Sequence, residues 1–481
     1  MNAAATAPRK IFAGPRLKRL RRERQLTQAG MAAELDVSPS YLNLMERNQR
    51  PITVQVLIRL TGVYGIDPRD FMEGEGDHLV SEMEQILADP LFREAAVPRA
   101  EVRDAADNSP ALLAAMARLY RAYAAAREAS EAGVASGTDR DRAEPIPGEG
   151  PVDRIRIIMH EARNHFPELE DAAESFAAEL ALAGNGLYFA LCEHLRARHG
   201  IRVRALPVEV MGDRLRWYDH HRRQLMISEV VKPAGRTFQA AYQLALSQFG
   251  ELLNAIAARL EPNDDLSRQL LRITLANYFA GAVMMPYGRF HEAAELASYD
   301  VEILGARFGA SFEQVAHRLT TLGRQTARGV PFFLVRVDIA GNISKRFSSS
   351  RFPFARSGGT CPLWNIHATF AEPGRILTQV IELTDGSQWF SIARTVHRSL
   401  TPWGAIEPRF AIGLGCEIKY ARRLVYAKRL DFNAPDATPI GINCRLCDRP
   451  ACPQRAAPPA LRPLLVDETI RSISPFTFKD V

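Results

Sequence analysis

Few folds suit the stretch from Thr27 to Glu46, TQAGMAAELDVSPSYLNLME. Thr27 and Ser38 are good helix N-caps, because a side-chain oxygen can accept an otherwise orphaned backbone N–H. Pro39 falls in the first turn of the second helix, where a missing N–H costs nothing. Two short helices therefore follow, Gln28 to Leu35 and one starting at Pro39, broken at Asp36-Val37. Ala32 is small where the helices must cross. Asp36, four positions later, takes the turn, since Asp tolerates a left-handed backbone at some cost. Leu42 and Met45 anchor the second helix. Around this pair the pattern predicts a basic helix over Arg16–Gln25 and another over Val54–Tyr64, with Val56, Leu57, Leu60 and Val63 on one face. A last short helix, capped by Asp67-Pro68, includes Phe71 and Met72.

The charge is concentrated in the same place. Residues 9–50 carry ten Lys or Arg against four acids, which accounts for the whole +6 net charge of the 481-residue chain. A basic patch on a neutral body suggests a phosphate-binding module. The exposed face of the second helix carries Ser38, Pro39, Ser40, Tyr41, Asn43 and Leu44, which can enter a major groove. Gln28, Arg47, Asn48 and Arg50 lie near phosphates in that arrangement.

The rest of the chain reads as a soluble multidomain protein. It is 47% hydrophobic and 24% charged, has no apolar run near the ~18 residues a membrane helix needs, and carries no secretory signal. A cytoplasmic location without membrane attachment is expected. After the N-terminal helical domain, 10–75, comes a helical connector, 76–126, with Leu112, Leu113, Met116, Leu119, Tyr120 and Tyr123 at helical spacing. Residues 127–151 hold almost no large apolar side chain and read as a flexible linker. A mostly α middle domain, 152–329, is interrupted by strand-like stretches at 201–206, 214–218 and 224–227. An α+β C-terminal domain spans 330–481.

Residues 14–72 resemble the Cro/CI-type helix-turn-helix DNA-binding domain, and the phrase SPSYLNLMERNQRPIT resembles the short-chain fatty acyl-CoA regulators. That resemblance spans nearly the whole chain. It implies a homodimeric transcription factor for acetate, propionate and methylcitrate genes, with a double-stranded DNA operator as partner and an acyl-CoA thioester as effector. The middle domain resembles ImmA/IrrE-type zinc metallopeptidases at RTFQAAYQLAL, 236–246, and at LANYFAGAVMMP, 275–286. Where that family carries two His one turn apart with a Glu after the first, this chain has Tyr242, Gln243 and Leu246. The carboxylate ligand is missing too, with Ile273, Thr274 and Leu275 in its stretch. Tyr and Leu cannot replace those ligands, and Gln243 cannot take a proton. A peptidase fold without catalysis is expected. The alternatives are a zinc-dependent anti-repressor peptidase and a metal- or redox-sensing transcription factor.

The C-terminal domain contains RFPFARSGGTCPLWNIHATF, 351–370. Arg351 and Arg356 with a Gly358-Gly359 turn suit phosphate, and Trp364 suits a base or a thioester arm. Five of the six cysteines fall in the last 121 residues, a placement that favours metal chemistry over disulfides in a cytosolic chain. Cys444-x-x-Cys447 and Cys452 supply three thiolates, and Cys416 is the nearest fourth in sequence. A zinc ion or an iron–sulfur cluster would use these ligands.

Overall fold

In the computed structural model, the described residues are all but 1–13, 48, 66–75, 93–96, 137–150, 182–185, 351, 355–359, 398–399, 402, 446, 460–461 and 479–481. The chain divides into two compact units, residues 1–148 and 149–481.

The first unit is helical. Helices α1 (Gly14–Glu23), α2 (Gln28–Glu34), α3 (Pro39–Glu46) and α4 (Val54–Tyr64) enclose Leu17, Met31, Ala32, Leu35, Leu42, Met45, Ile52, Val56, Leu57 and Leu60. Val63, expected on the buried face of α4, is 49% exposed; it lies in the last turn, beyond the reach of α2 and α3. The segment from Asp67 to Met72 lies outside the described residues. Helices α5 (Gly76–Leu87), α6 (Arg99–Asn108) and α7 (Pro110–Ser136) share a second apolar cluster that includes Val80, Met83, Val102, Leu113 and Ala117. Leu112 and Leu119 instead point outward. Helix α7 continues ten residues into the stretch expected to be linker. Ala, Arg and Glu there are strong helix formers, and a helix needs no large apolar side chains to propagate.

The second unit begins with α8 (Pro151–Glu161), α9 (Pro167–Ala181) and α10 (Leu187–His199). Strands β1 (Arg202–Leu206), β2 (Arg216–Asp219) and β3 (Gln224–Ser228) form a small sheet in the order β1-β3-β2, with β1 parallel and β2 antiparallel to β3. Six helices follow: α11 (Pro233–Gln248), α12 (Gly250–Leu260), α13 (Asp265–Met284), α14 (Tyr287–Leu296), α15 (Val301–Phe308) and α16 (Phe312–Leu319). The chain then builds a six-stranded sheet from β4 (Phe333–Asp338), β5 (Ile343–Ser348), β6 (Leu377–Glu382), β7 (Gln388–Val396), β8 (Phe410–Glu417) and β9 (Ala437–Pro439). Its order is β5-β4-β8-β7-β6-β9, antiparallel except for β6 with β9.

Alternation along these strands separates two faces, because successive side chains point to opposite sides. Leu334, Phe390, Ile392, Ile412, Leu414 and Cys416 join one core with Tyr287, Phe290, Tyr299, Leu304, Val315 and Leu319 of the helices. Phe333, Val335, Trp389, Ala393 and Ala411 line the other face with Phe352, Trp364, Ile366 and Ile440. Gly415 lies across from Phe333, where an added Cβ would sit 2.5 Å from that ring, so only glycine lets the ring lie flat on β8. The boundary expected at 329–330 thus falls inside one shared core.

Beneath the helical face, Glu170 and Arg318 form a buried ion pair, with Nη1 and Nη2 at 2.6 and 2.7 Å from Oε1 and Oε2. The Tyr278 hydroxyl also donates to Glu170, and Arg318 Nε donates to the Met285 carbonyl at 2.9 Å. Burial of these charges is matched by two-point geometry and filled donor positions, the condition under which such a pair is tolerated.

Candidate DNA interface and cysteine cavity

The first two caps form as the sequence dictates. Thr27 Oγ1 accepts from Gly30 N at 3.0 Å and Ser38 Oγ from Tyr41 N at 3.1 Å. Asp36 adopts φ +50°, and Ala32 is fully buried at the crossing. Arg59 Nη1 holds the turn from outside, 3.0 Å from the Leu35 carbonyl and 2.6 Å from Asp36 Oδ2.

This leaves Ser38, Pro39, Ser40, Arg47 and Arg50 exposed, with Tyr41, Asn43, Leu44 and Gln28 half-buried; Asn48 lies outside the described residues. No motif or spacing marks Glu46 in advance. It is 5% exposed, and Arg21 grips it with Nε 2.6 Å from Oε1 and Nη2 3.1 Å from Oε2. Gln28 Nε2 donates to Glu46 Oε2 at 2.8 Å, so this amide braces α3 and is not free for a phosphate. Burial pushes the Glu46 carboxyl up, but the bonds from Arg21 and Gln28 and the nearby Arg21 and Lys18 charges hold it below the usual range.

The C-terminal cysteines gather differently from the sequence expectation. Cys361, Cys444, Cys447 and Cys452 line one small cavity with Pro362, Pro439, Gly441, Arg449 and Arg455. Cys416 is not among them: it is fully buried on the helical face of β8, opposite Phe390, while Cys361 packs on the other face. Strand parity overrides nearness in sequence. Arg455, 4% exposed, ties the loop together by donating to the carbonyls of Cys444, Cys447 and Arg449 at 3.0, 3.0 and 2.6 Å. Burial pushes the Cys361 and Cys447 thiols up. Among the described residues, no group of three or more His, Cys, Asp or Glu side chains is arranged to hold a metal ion.

Three family models match consecutive parts of the chain. Residues 17–71 match the helix-turn-helix model, 196–320 the IrrE N-terminal-like domain, and 321–476 the C-terminal model of the short-chain fatty acyl coenzyme A regulators. The HTH-type transcriptional regulator RamB of Mycobacterium tuberculosis is 40% identical over 98% of this chain and 100% of its own. The propionyl-CoA carboxylase regulator of Cereibacter sphaeroides is 39% identical over 98% and 99%. The chain belongs to the short-chain fatty acyl coenzyme A regulator family. A solved Mycobacterium tuberculosis transcriptional regulator, 39% identical, covers 68% of this chain and 99% of its own with a TM-score of 0.65. This regulator is accordingly a DNA-binding transcription factor with a helix-turn-helix head, a helical middle region and a sheet-containing C-terminal region.

The remaining expected positions in the regulator are distributed unevenly. Trp364 is 3% exposed, its indole N–H bonded to Ser391 Oγ at 3.0 Å, and its ring tilted against Phe333 and Phe352. It is enclosed as core and offers no free face for stacking. Arg351, Arg356, Gly358 and Gly359 lie outside the described residues. In the middle region, Tyr242, Gln243 and Leu246 project from α11, which packs on α13. Gln243 is 3% exposed; its amide donates to Ser247 Oγ at 3.1 Å and accepts from Arg216. Among the described residues no helix is long and apolar enough to cross a membrane.

Proposed function

We propose that the regulator binds a palindromic or direct-repeat operator as a cytoplasmic homodimer and controls short-chain acyl-CoA metabolism in response to an acyl-CoA effector. The observation that carries this reading is the α3 surface: Ser38, Ser40, Arg47 and Arg50 exposed on a helix whose underside is fixed by Glu46. It is supported by full-length similarity to regulators whose names refer to propionyl-CoA carboxylase and to transcription. Ser40 and Asn43 read base edges, and Arg47 and Arg50 hold phosphates. The effector acts by binding the DNA-competent and incompetent states with different affinity.

The middle region is a non-catalytic sensor segment, since Gln243 and Leu246 can supply neither a base nor a metal ligand. Zinc-dependent cleavage of a partner repressor by the purified chain would overturn this. Asn43→Ala should cost about 1–3 kcal/mol of operator affinity and relax sequence choice. Arg50→Ala should weaken all sequences alike and reduce the salt slope by about one. Equal binding by both variants and the wild type sinks the α3 assignment. For the effector, melting temperatures with acetyl-, propionyl- and longer acyl-CoAs, free CoA and the free acids decide the matter. A ligand at 100 times its dissociation constant adds about 2.7 kcal/mol, and no shift with any thioester refutes acyl-CoA sensing.

A second reading starts from the four-cysteine cavity: the described side chains are not arranged to hold a metal as they stand, but Cys361, Cys444, Cys447 and Cys452 would be the ligands of an iron–sulfur cluster. When bound, such a group would supply a cross-link and a redox-active centre. Visible absorbance of anaerobically purified protein tests it; a colourless protein with bound zinc rejects it.

A further inference from the structure

Two arginines beside Tyr242 and Gln243 have no carboxylate partner among the described residues. Arg216 reaches from β2 across Tyr242, with its guanidinium carbon 4.8 Å from that ring's centroid, and one Nη donates to Gln243. Its Nε is buried without a partner. Arg272, on α13, also has a buried Nε without a partner, and no hydrogen bond or ion pair joins it to another described residue. One Nη of Arg272 lies 3.6 Å from where a Cβ at Gly250 would stand. Both guanidinium groups act on the Tyr242 hydroxyl, which burial pushes up and they pull down. Burial also pushes the Arg216 guanidinium down, and the group that counters this is Tyr242, not a carboxylate.

Other sheltered arginines contrast sharply. Arg21 sits on Glu46, Arg318 on Glu170, and Arg336 on Glu313. A desolvated cation without an anion is costly, and planar guanidinium forks match phosphate and carboxylate oxygens two at a time. Tyr242 and Arg272 are each half-buried, so both side chains reach solvent.

We infer that Arg216 and Arg272, with the Tyr242 hydroxyl, form an anion site that holds a phosphate or carboxylate group of a ligand. The inference deepens the effector reading by giving the effector's charged group a seat, and it rests on that reading only for which ligand carries the group.

The test titrates the full chain, and its Arg272→Gln and Arg216→Lys variants, with inorganic phosphate, propionate, CoA and propionyl-CoA. Binding is read by calorimetry, and unliganded melting temperature is read in parallel. Arg272 makes no hydrogen bond or ion pair among the described residues, so Arg272→Gln should melt like the wild type. It should bind the recognised anion at least about tenfold more weakly, the loss of one charge-assisted contact. Arg216→Lys keeps the charge, loses the fork, and should weaken binding in the same direction. A loss confined to phosphate-bearing ligands identifies phosphate; a loss confined to propionate identifies carboxylate. If propionyl-CoA binds both variants as tightly as the wild type, acyl-CoA sensing stands and the anion site falls. If phosphate or propionate binds in an Arg272-dependent way while the thioesters do not, the anion site stands and acyl-CoA sensing falls. If nothing binds the wild type, both fall.

Discussion

The two faces of the six-stranded sheet are built from the same strands, residue by residue in alternation, yet they solve different problems. The helical face is a broad apolar contact resting on helices that an internal charge pair holds together, Glu170 with Arg318. The opposite face is a pile of aromatic rings, Phe333, Phe352, Trp364 and Trp389, and Cys361 of the four-cysteine cavity packs in the same cluster. The first face depends on electrostatics satisfied in the dark; the second depends on shape. A shift of one position along β8 moves a thiol from one regime to the other.

That contrast can be broken most forcefully at Glu170. Glu170→Ala strands a buried guanidinium and should cost about 3–5 kcal/mol, read from denaturant unfolding of the full chain. A loss under about 1 kcal/mol would mean that the pair does not hold the helices. On the other face, Trp364→Ala should also cost about 3–5 kcal/mol through the void it leaves, and this loss should not change with salt. Smaller effects separate the cysteines: Cys416→Ala should cost about 1 kcal/mol and leave any bound metal unchanged. If the purified protein carries a metal, Cys361→Ala should remove it, as measured by metal analysis. The reverse pattern would put the ligand set back on the helical face.

The gentlest probe is pH. Burial holds the His317 imidazole down, to about 3, with Lys345 and Arg318 adding to the effect and Glu313 opposing it. The unfolded chain gains this proton near 6.5 and the folded chain only near 3, so the unfolded state binds more protons in between. The contribution is whole above about pH 6.5 and is lost as pH falls toward 3. His317→Gln should therefore flatten the melting temperature across that window, and an unchanged slope would show that His317 does not carry it.

What the sequence disclosed was local. Thr27, Ser38 and Asp36 act within three or four residues of themselves, so their caps and turn could be read directly. So could the three strand stretches near 201–227. Glu46 was hidden because its partner Arg21 is 25 positions away, and nothing in the spacing says that a glutamate on a surface-like helix turns inward. Cys416 misled because distance along the chain is a poor guide once strands pair, whereas the parity of β8 was knowable only with the register in hand. The first ten residues of the polar stretch 127–151 are helical, because helix propensity does not need large apolar side chains. Arg216 and Arg272 carry no motif at all; they stand out only when each buried guanidinium is asked where its counter-charge lies.

The core shared by α14 to α16 and the sheet has one more consequence. The two family segments meet at residues 320 and 321, yet Phe290, Leu304 and Leu319 pack against Leu334, Ile412 and Leu414 across that junction. Units of inheritance and units of mechanics therefore do not coincide here. A protease that nicked the chain near Arg324 should leave two fragments that migrate together until denatured, and a piece ending at 329 should aggregate through the surface it bares. Residues 149–481 form one compact unit, and the family junction runs through its core rather than around it.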